Sequence, residues 1–258
     1  MDREAVLALY DRSMRRDAPP DDPGARVERV GDVVRQVAGE HGWNGVLWSR
    51  LDRAGADAAI AEQVRYYASL GRGFEWKLYA HDRPDDLAAR LRAAGFVAEP
   101  EETLMVAPIG AVSTEAEPPV GVEVWPVADE AGADLVGRVH EEVFGTDGDR
   151  IRRRLLDQLA GLPGTVAAVV AVAGGEPVAA ARLEMHPGTP FAGLWGGGTV
   201  PAWRGRGLYR ALVAVRARIA ADRGYRYLQV DATGQSRPIL RRLGFVPLTT
   251  TTPYVHNG

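Results

Sequence analysis

The sequence predicts an α/β protein made of two related units, on three observations. Apolar runs of strand length alternate with segments whose apolar residues recur at helical spacing, throughout the 258 residues. Near residue 200 a strand passes into a helix through a glycine-rich turn. The end of the first half is also repeated near the end of the second. Leu91-Arg92-Ala-Ala-Gly95-Phe96-Val97 matches Leu240-Arg241-Arg-Leu-Gly244-Phe245-Val246 at five of seven positions. A shift of 151 sets Arg53–Ala56 on Arg204–Gly207 and Gly73-Phe74 on Gly224-Tyr225. The units are expected over residues 1–107 and 121–258, joined by a Pro/Ser/Glu linker over 108–120.

The elements follow in order. Residues 2–16, with Val6, Leu7, Leu9, Tyr10 and Met14, read as a helix, and Asp17 to Gly24 as a loop by composition. The valines of 26–39 fit a strand followed by a short helix, and periodicity does not separate the two. Residues 46–51 read as a strand, and 56–71 as a helix carrying Ile60, Val64 and Tyr67 at helical spacing. Residues 74–80 alternate like a strand, 84–94 form a helix closed by Gly95, and 103–107 another strand. In the second unit 122–127 is a strand, 129–144 and 149–160 are helices, and 165–173 with 176–185 make a hairpin about Gly174-Gly175. A strand over 191–200, a helix over 205–222 stopped at Gly224, a strand over 225–231 and a helix over 237–243 come next. A last strand or hairpin runs towards Val255.

The glycine-rich turn is the most informative stretch. Gly205 and Gly207 sit at the first turn of a helix, flanked by Arg204 and Arg206. First-turn N–H groups lack partners inside a helix and the helix dipole is positive there, so the turn is an anion site. Glycine lets a phosphate approach the backbone with no Cβ in the way. A nucleotide P-loop needs Gly-Lys-Ser/Thr, and the one lysine in the chain is Lys77. A dinucleotide fingerprint needs a third glycine where Arg210 stands. What remains is Arg-x-x-Gly-x-(Gly/Ala) on a strand, loop and helix.

That pattern resembles the pyrophosphate loop of the GNAT superfamily of acyl-CoA-dependent N-acyltransferases, with Tyr209 at the position usually held by Gly or Ala. The β-α-α-β-β-β-α-β-α-β order over 121–258 is also that of a GNAT domain. The resemblance implies two GNAT-like units in tandem, each a mixed, largely antiparallel twisted sheet flanked by helices. The first unit would be degenerate: Asp52-Arg53-Ala54-Gly55-Ala56-Asp57 carries two acids where phosphates would sit, and carboxylates repel a pyrophosphate. Its expected roles are to cover one side of the acceptor site and to complete the core.

The resemblance implies an N-acetyltransferase that takes acetyl-CoA as donor and a small-molecule amine as acceptor, by direct attack. Gly197, Gly198, Thr199 and Val200 would meet the pantetheine arm, as an added strand does. The N–H groups of Gly205, Arg206, Gly207, Leu208, Tyr209 and Arg210 would hold the phosphates, with Arg204 and Arg206 either adding charge or standing in solvent. Gly196-Gly197-Gly198 reads equally as a bulge. A base and an acid assist the transfer, but the family's usual tyrosine position is Leu240, and the central strands offer Gln229 and Gly193. The substitutes are Glu184 as a base or a strand end, Asp231 at a strand end or as a turn cap, and Ser236 as a thiol donor or a helix N-cap. Other readings are a non-catalytic CoA-binding protein and transfer of a larger acyl group.

Composition sets the outer bounds. With 46% hydrophobic and 25% charged residues and a net charge of −3, the chain reads as globular, with no basic face for nucleic acid. No apolar run is long enough to span a membrane, and Met1-Asp-Arg-Glu is not a signal peptide, so a soluble, cytoplasmic protein is expected. The absence of cysteine excludes disulfides and a cysteinyl acyl-enzyme. The five histidines show no ligand spacing, so no metal is expected. Trp195, Trp203 and Tyr209 read as core or as an interface, which leaves oligomerisation open.

Overall fold

The computed structural model describes residues 1–39 and 41–258. Asp2 caps the first helix, α1 (Arg3–Tyr10), by accepting from the N–H groups of Glu4 and Ala5, and wider helical turns continue to Arg16. The first half then runs β1 (Arg26–Val30), β2 (Val33–Val37), β3 (Gly45–Ser49), α2 (Ala56–Ser69), β4 (Phe74–Tyr79), α3 (Leu87–Ala93), β5 (Val97–Ala98) and β6 (Glu102–Pro108). The second runs β7 (Val122–Val127), α4 (Glu130–Phe144), α5 (Gly148–Gly161), β8 (Val166–Ala173), β9 (Glu176–Met185) and β10 (Phe191–Thr199). It ends with α6 (Leu208–Asp222), β11 (Tyr227–Ala232), α7 (Arg237–Arg242) and β12 (Val246–His256).

One expectation changes. Residues 26–37 form the hairpin β1–β2, with Val30 opposite Val33, and no helix follows. Valines at 27, 30, 33, 34 and 37 satisfy both periods. Gly31, at φ 57°, supplies the left-handed turn that a two-residue hairpin needs. The last segment is a single strand rather than a hairpin.

Among the described residues, twelve strands form one mixed, mostly antiparallel sheet flanked by helices. Its order is β1-β2-β3-β4-β12-β6-β11-β10-β9-β8-β7, with β5 paired to β12. Strands β1 to β4 pair antiparallel, antiparallel, then parallel, and β8 to β11 repeat that sequence. The centre is built by exchange. β6 lies against β11 of the second half, and β12 reaches back to β4 of the first. Leu104, Met105, Val106 and Ala107 of β6 are fully buried at this seam.

Helices α4 and α5 pack on one face of the second half, against Val166, Ala168 and Val170. Helix α6 packs on the other, through Leu208 and Leu212 under Ala179 and Ala181, and through Val213 and Ala217 under Leu183 and Leu194. Gly145 and Gly224, at φ 67° and 80°, end α4 and α6 in the left-handed conformation that other residues rarely adopt. Among the described residues no helix is long and apolar enough to cross a membrane.

Candidate active site

Strands β10 and β11 run parallel only from Phe191 opposite Tyr227 to Gly193 opposite Gln229, although β10 continues to Thr199 and β11 to Ala232. Beyond Gly193 they splay. A bulge between Trp195 and Gly198 drives β10 away: Trp195 faces Arg182 on β9, yet Gly198 already faces Ala180. Gly196 takes φ 56° there, a conformation open to glycine. The gap opens into a groove of about 710 Å³ that continues to the start of α6.

Gly205 and Gly207 have φ of 76° and 88°, so the chain turns into α6 through two left-handed residues. The first bond to the turn is donated by Ala211 to the Gly207 carbonyl at 3.0 Å, which leaves the N–H groups of Leu208, Tyr209 and Arg210 without acceptors inside the helix. Gly197, Gly198, Thr199, Arg204, Gly205, Gly207, Leu208, Tyr209, Arg210, Asp231 and Ser236 all line the groove. Val200 and Arg206 do not. The Val200 side chain packs with Leu208 and Leu212 in the core, and Arg206 lies over the Trp203 ring at 4.5 Å. The Arg204 Nε donates to the Thr199 carbonyl at 3.1 Å, so this guanidinium braces the loop.

A second cavity, of about 300 Å³, lies between the halves. Glu102, Trp195 and Asp231 line both spaces, so the two meet at these three side chains. Asp231, 1% exposed, forms an ion pair with Lys77. Burial alone would depress the lysine, but Asp231 and Glu75 outweigh it and hold Lys77 charged, which removes it as a Schiff-base nucleophile. Glu102 behaves in the opposite way. Burial pushes its carboxyl up to about 7, with Lys77 opposing and Asp231 and Glu75 reinforcing the rise. Glu184 lines the second cavity and not the groove, with Arg154 and Arg182 each 3.9 Å away. It shares a cross-strand row with Gly193 and Gln229, where the missing side chain of Gly193 leaves room. A Cβ at Gly193 would lie 2.6 Å from both Gln229 Nε2 and Trp195 Nε1. Ser236 heads α7 without capping it; its hydroxyl meets Thr233 Oγ1 at 3.3 Å.

The buried polar atoms that lack a partner, among the described residues, sort by chemistry. Along the groove they are Arg182 Nε and Nη1, Trp195 Nε1, Arg216 Nη2, Thr199 Oγ1 and Asp231 Oδ1, mostly donors. In the second cavity they are Glu184 Oε1, Gln229 Oε1, Asp231 Oδ1 and Trp195 Nε1, mostly acceptors. Arg216 is 1% exposed and comes from the middle of α6. Its Nη1 donates to the Arg182 carbonyl at the bulge, 3.1 Å away, and burial pushes the group down to about 10. An unpartnered buried donor costs about 1–3 kcal/mol, so the groove suits an occupant rich in acceptors and the cavity one rich in donors.

Glu102 and Arg216 were missed from sequence, and Lys77 stood out there only as the chain's one lysine. Nothing local marks Glu102 or Lys77, whose partners arrive through the exchanged strands. Arg216 did leave a signal: a charge within the inward stripe of an apolar helix.

A parallel pair that splays at a bulge, over a glycine-rich helix start, is the arrangement expected from the GNAT resemblance. The comparisons agree. Residues 134–245 match the acetyltransferase (GNAT) family, and the chain therefore contains a domain of that family. No functionally curated protein matches the chain in sequence. Solved structures share the fold over its full length. A GCN5-related N-acetyltransferase from Kribbella flavida has TM-score 0.67 at 21% identity, covering 99% of this chain and 94% of that one. A tandem GNAT protein from the clavulanic acid biosynthesis pathway has TM-score 0.64 at 15% identity, covering 98% and 93%. A GCN5-related N-acetyltransferase from Sphaerobacter thermophilus has TM-score 0.62 at 14% identity, covering 98% and 85%.

Proposed function

We propose that the chain transfers an acyl group, acetyl in the simplest case, from acyl-CoA to the amine of a small molecule. The observation that carries this reading is the meeting of two unlike spaces. A groove of orphaned donors touches a cavity of orphaned acceptors at Glu102, Trp195 and Asp231. The groove's donors fit the amide carbonyls of a pantetheine arm, and the N–H groups of the 205–210 turn fit its pyrophosphate. The units at 1–107 and 121–258 are read as tandem GNAT folds, the first contributing Glu75, Lys77 and Glu102 to the acceptor side instead of a second CoA site.

Acyl-CoA supplies a thioester carbonyl, to whose carbon the amine nitrogen bonds as the carbon–sulfur bond breaks. Glu102 takes the proton that the acceptor ammonium must lose before attack. The second proton passes from the nitrogen to the sulfur through the Ser236 hydroxyl in the groove wall, which takes the nitrogen's proton as it gives its own to the departing sulfur. Asp231, tied to Lys77, and Glu184, set back in the cavity, hold and orient the amine. Holding the two reactants together supplies much of the acceleration.

The test is thermal unfolding with acetyl-CoA, propionyl-CoA, free CoA or NADH. Ligands that bind only the native state raise the midpoint by mass action. A rise with the CoA compounds and none with NADH is expected, and Gly207→Glu should abolish it by placing a strained, negative side chain in the phosphate turn. No rise with any CoA compound would sink the reading.

A further inference from the structure

The second cavity also limits what kind of amine the chain acts on. Four carboxylates gather in the cavity wall: Glu75 on β4, Glu102 on β6 and Asp231 on β11 act on Lys77 directly, and Glu99, just before β6, acts on Glu75 and Glu102. One ammonium leaves a surplus of three negative charges when all four are ionised. The other cations of the cavity wall are already committed. Arg15 is bound to Asp11 and to both oxygens of Asp82, and Arg154 to Asp21 and Asp22.

An independent observation points the same way. Of the four buried atoms in this cavity that lack a hydrogen bond, three are oxygens: Asp231 Oδ1, Gln229 Oε1, and Glu184 Oε1, the last already approached to 3.9 Å by Arg154 and Arg182. The carboxylates among them are 1% and 8% exposed. Two tryptophans stand beside the acids, Trp43 by the edge of its ring and Trp195 by its face. Trp43 Nε1 donates to Glu75 at 2.9 Å, and Lys77 Nζ lies 5.4 Å from the Trp195 ring centre. Such a face stabilises a neighbouring cation. Among the described residues no group of three or more His, Cys, Asp or Glu is placed to hold a metal ion.

We infer that the acceptor is an amine carrying at least two positive charges, the reacting ammonium at the Glu102–Asp231 end and a second cationic group between Glu75 and Glu99. The inference takes this cavity as the acceptor site, and so rests on the transfer reading above. A diamine or polyamine satisfies both ends. An amino acid or an acidic amine would bring a carboxylate against the surplus.

Calorimetric titration of the full chain tests it, with 1,4-diaminobutane, spermidine, butylamine, glutamate and magnesium chloride at matched ionic strength. The diamine should bind roughly tenfold or more tightly than butylamine, because a second ammonium gains a second carboxylate contact, and glutamate should give no heat. Glu75→Gln and Glu99→Gln should each bring the affinity for diaminobutane towards that for butylamine. Glu99 is solvent-exposed, so its variant remains informative if Glu75→Gln fails to fold. Equal binding of butylamine and diaminobutane, binding of glutamate, or equal binding of magnesium would each overturn the inference. Acetyl-CoA is titrated in parallel. Its binding with no preference for the dication removes this inference alone, whereas a preference for the dication with no acyl-CoA binding removes the transfer reading and the acceptor role with it.

Discussion

Glu102 is the side chain on which the proposed chemistry turns, and its environment makes it testable by pH. Asp231 faces it from the neighbouring β11 and Lys77 from β4, beyond β12, with Glu75 and Glu99 nearby, and burial dominates, so its carboxyl is pushed up to about 7. As a base it works ionised. The rate at low substrate should therefore climb tenfold per pH unit up to about 7 and level off above. Glu102→Gln should erase that limb and lower kcat by about 10²–10³ while leaving the acetyl-CoA midpoint shift intact. Stability runs the other way. The folded state keeps a proton that the unfolded chain has lost between pH 4.5 and 7, so stability falls as pH rises through that window. At pH 8 Glu102→Gln should thus be more stable by about 1–3 kcal/mol. A variant equally active, with an unchanged pH profile, would remove Glu102 from the mechanism. The glycine-rich turn at 205–210 was legible because its geometry is local, resting on two positive φ values and unpartnered N–H groups within six positions of chain. The Lys77–Asp231 pair spans 154 positions, and no local pattern encodes it.

At the scale of elements, the splay between β10 and β11 is the device that makes a site out of a sheet. The run Gly196-Gly197-Gly198 announced it as a bulge or a close approach, and the structure contains the bulge. The sequence did not tell what holds it open. Arg216 reaches up from α6 and donates to the Arg182 carbonyl at the bulge, while its Nη2 stays unpartnered beside Gly197. Two terms compete in Arg216→Met. Two hydrogen bonds, to the Leu212 and Arg182 carbonyls, disappear at about 1–3 kcal/mol of buried acceptor left over. A buried guanidinium with no carboxylate beside it also disappears, and its desolvation costs several kcal/mol. The second term is larger. Arg216→Met should accordingly match or exceed the parent in thermal midpoint without ligand, yet bind acetyl-CoA at least about tenfold more weakly. A lower midpoint with unchanged CoA affinity would make Arg216 a strut of the bulge and nothing more. The hairpin β1–β2 went unread for a different reason: a valine run fits both periods until Gly31 fixes the turn.

The whole molecule is held by the exchange of β6 and β12, and this sets what can be cut away. Sequence similarity between the halves suggested a boundary after residue 107, because repetition reports elements and not which strand pairs with which. Hydrogen bonding places β6 between β11 and β12. A fragment of residues 116–258 would leave the edge of β11 open and strip β12 of both neighbours. It would also expose the cavity of Leu104, Met105, Val106 and Ala107, all fully buried in the intact chain. Each large side chain of that set contributes about 1.5–3 kcal/mol, against a typical domain stability of only about 5–15 kcal/mol. The fragment should fail to unfold cooperatively or should aggregate through its open strand edge. Starting the chain at residue 100 restores β6 and Glu102 while still omitting Glu75 and Lys77. If acyl-CoA is held by the second half and the amine by the seam, this longer fragment should regain a cooperative transition and a midpoint shift with acetyl-CoA. It should not regain the preference for a dication, since half of the acidic cluster is gone. Folding of 116–258 with full acetyl-CoA binding would show that β6 is a guest at the seam. Failure of both fragments would show that β4 is needed to hold β12 in place.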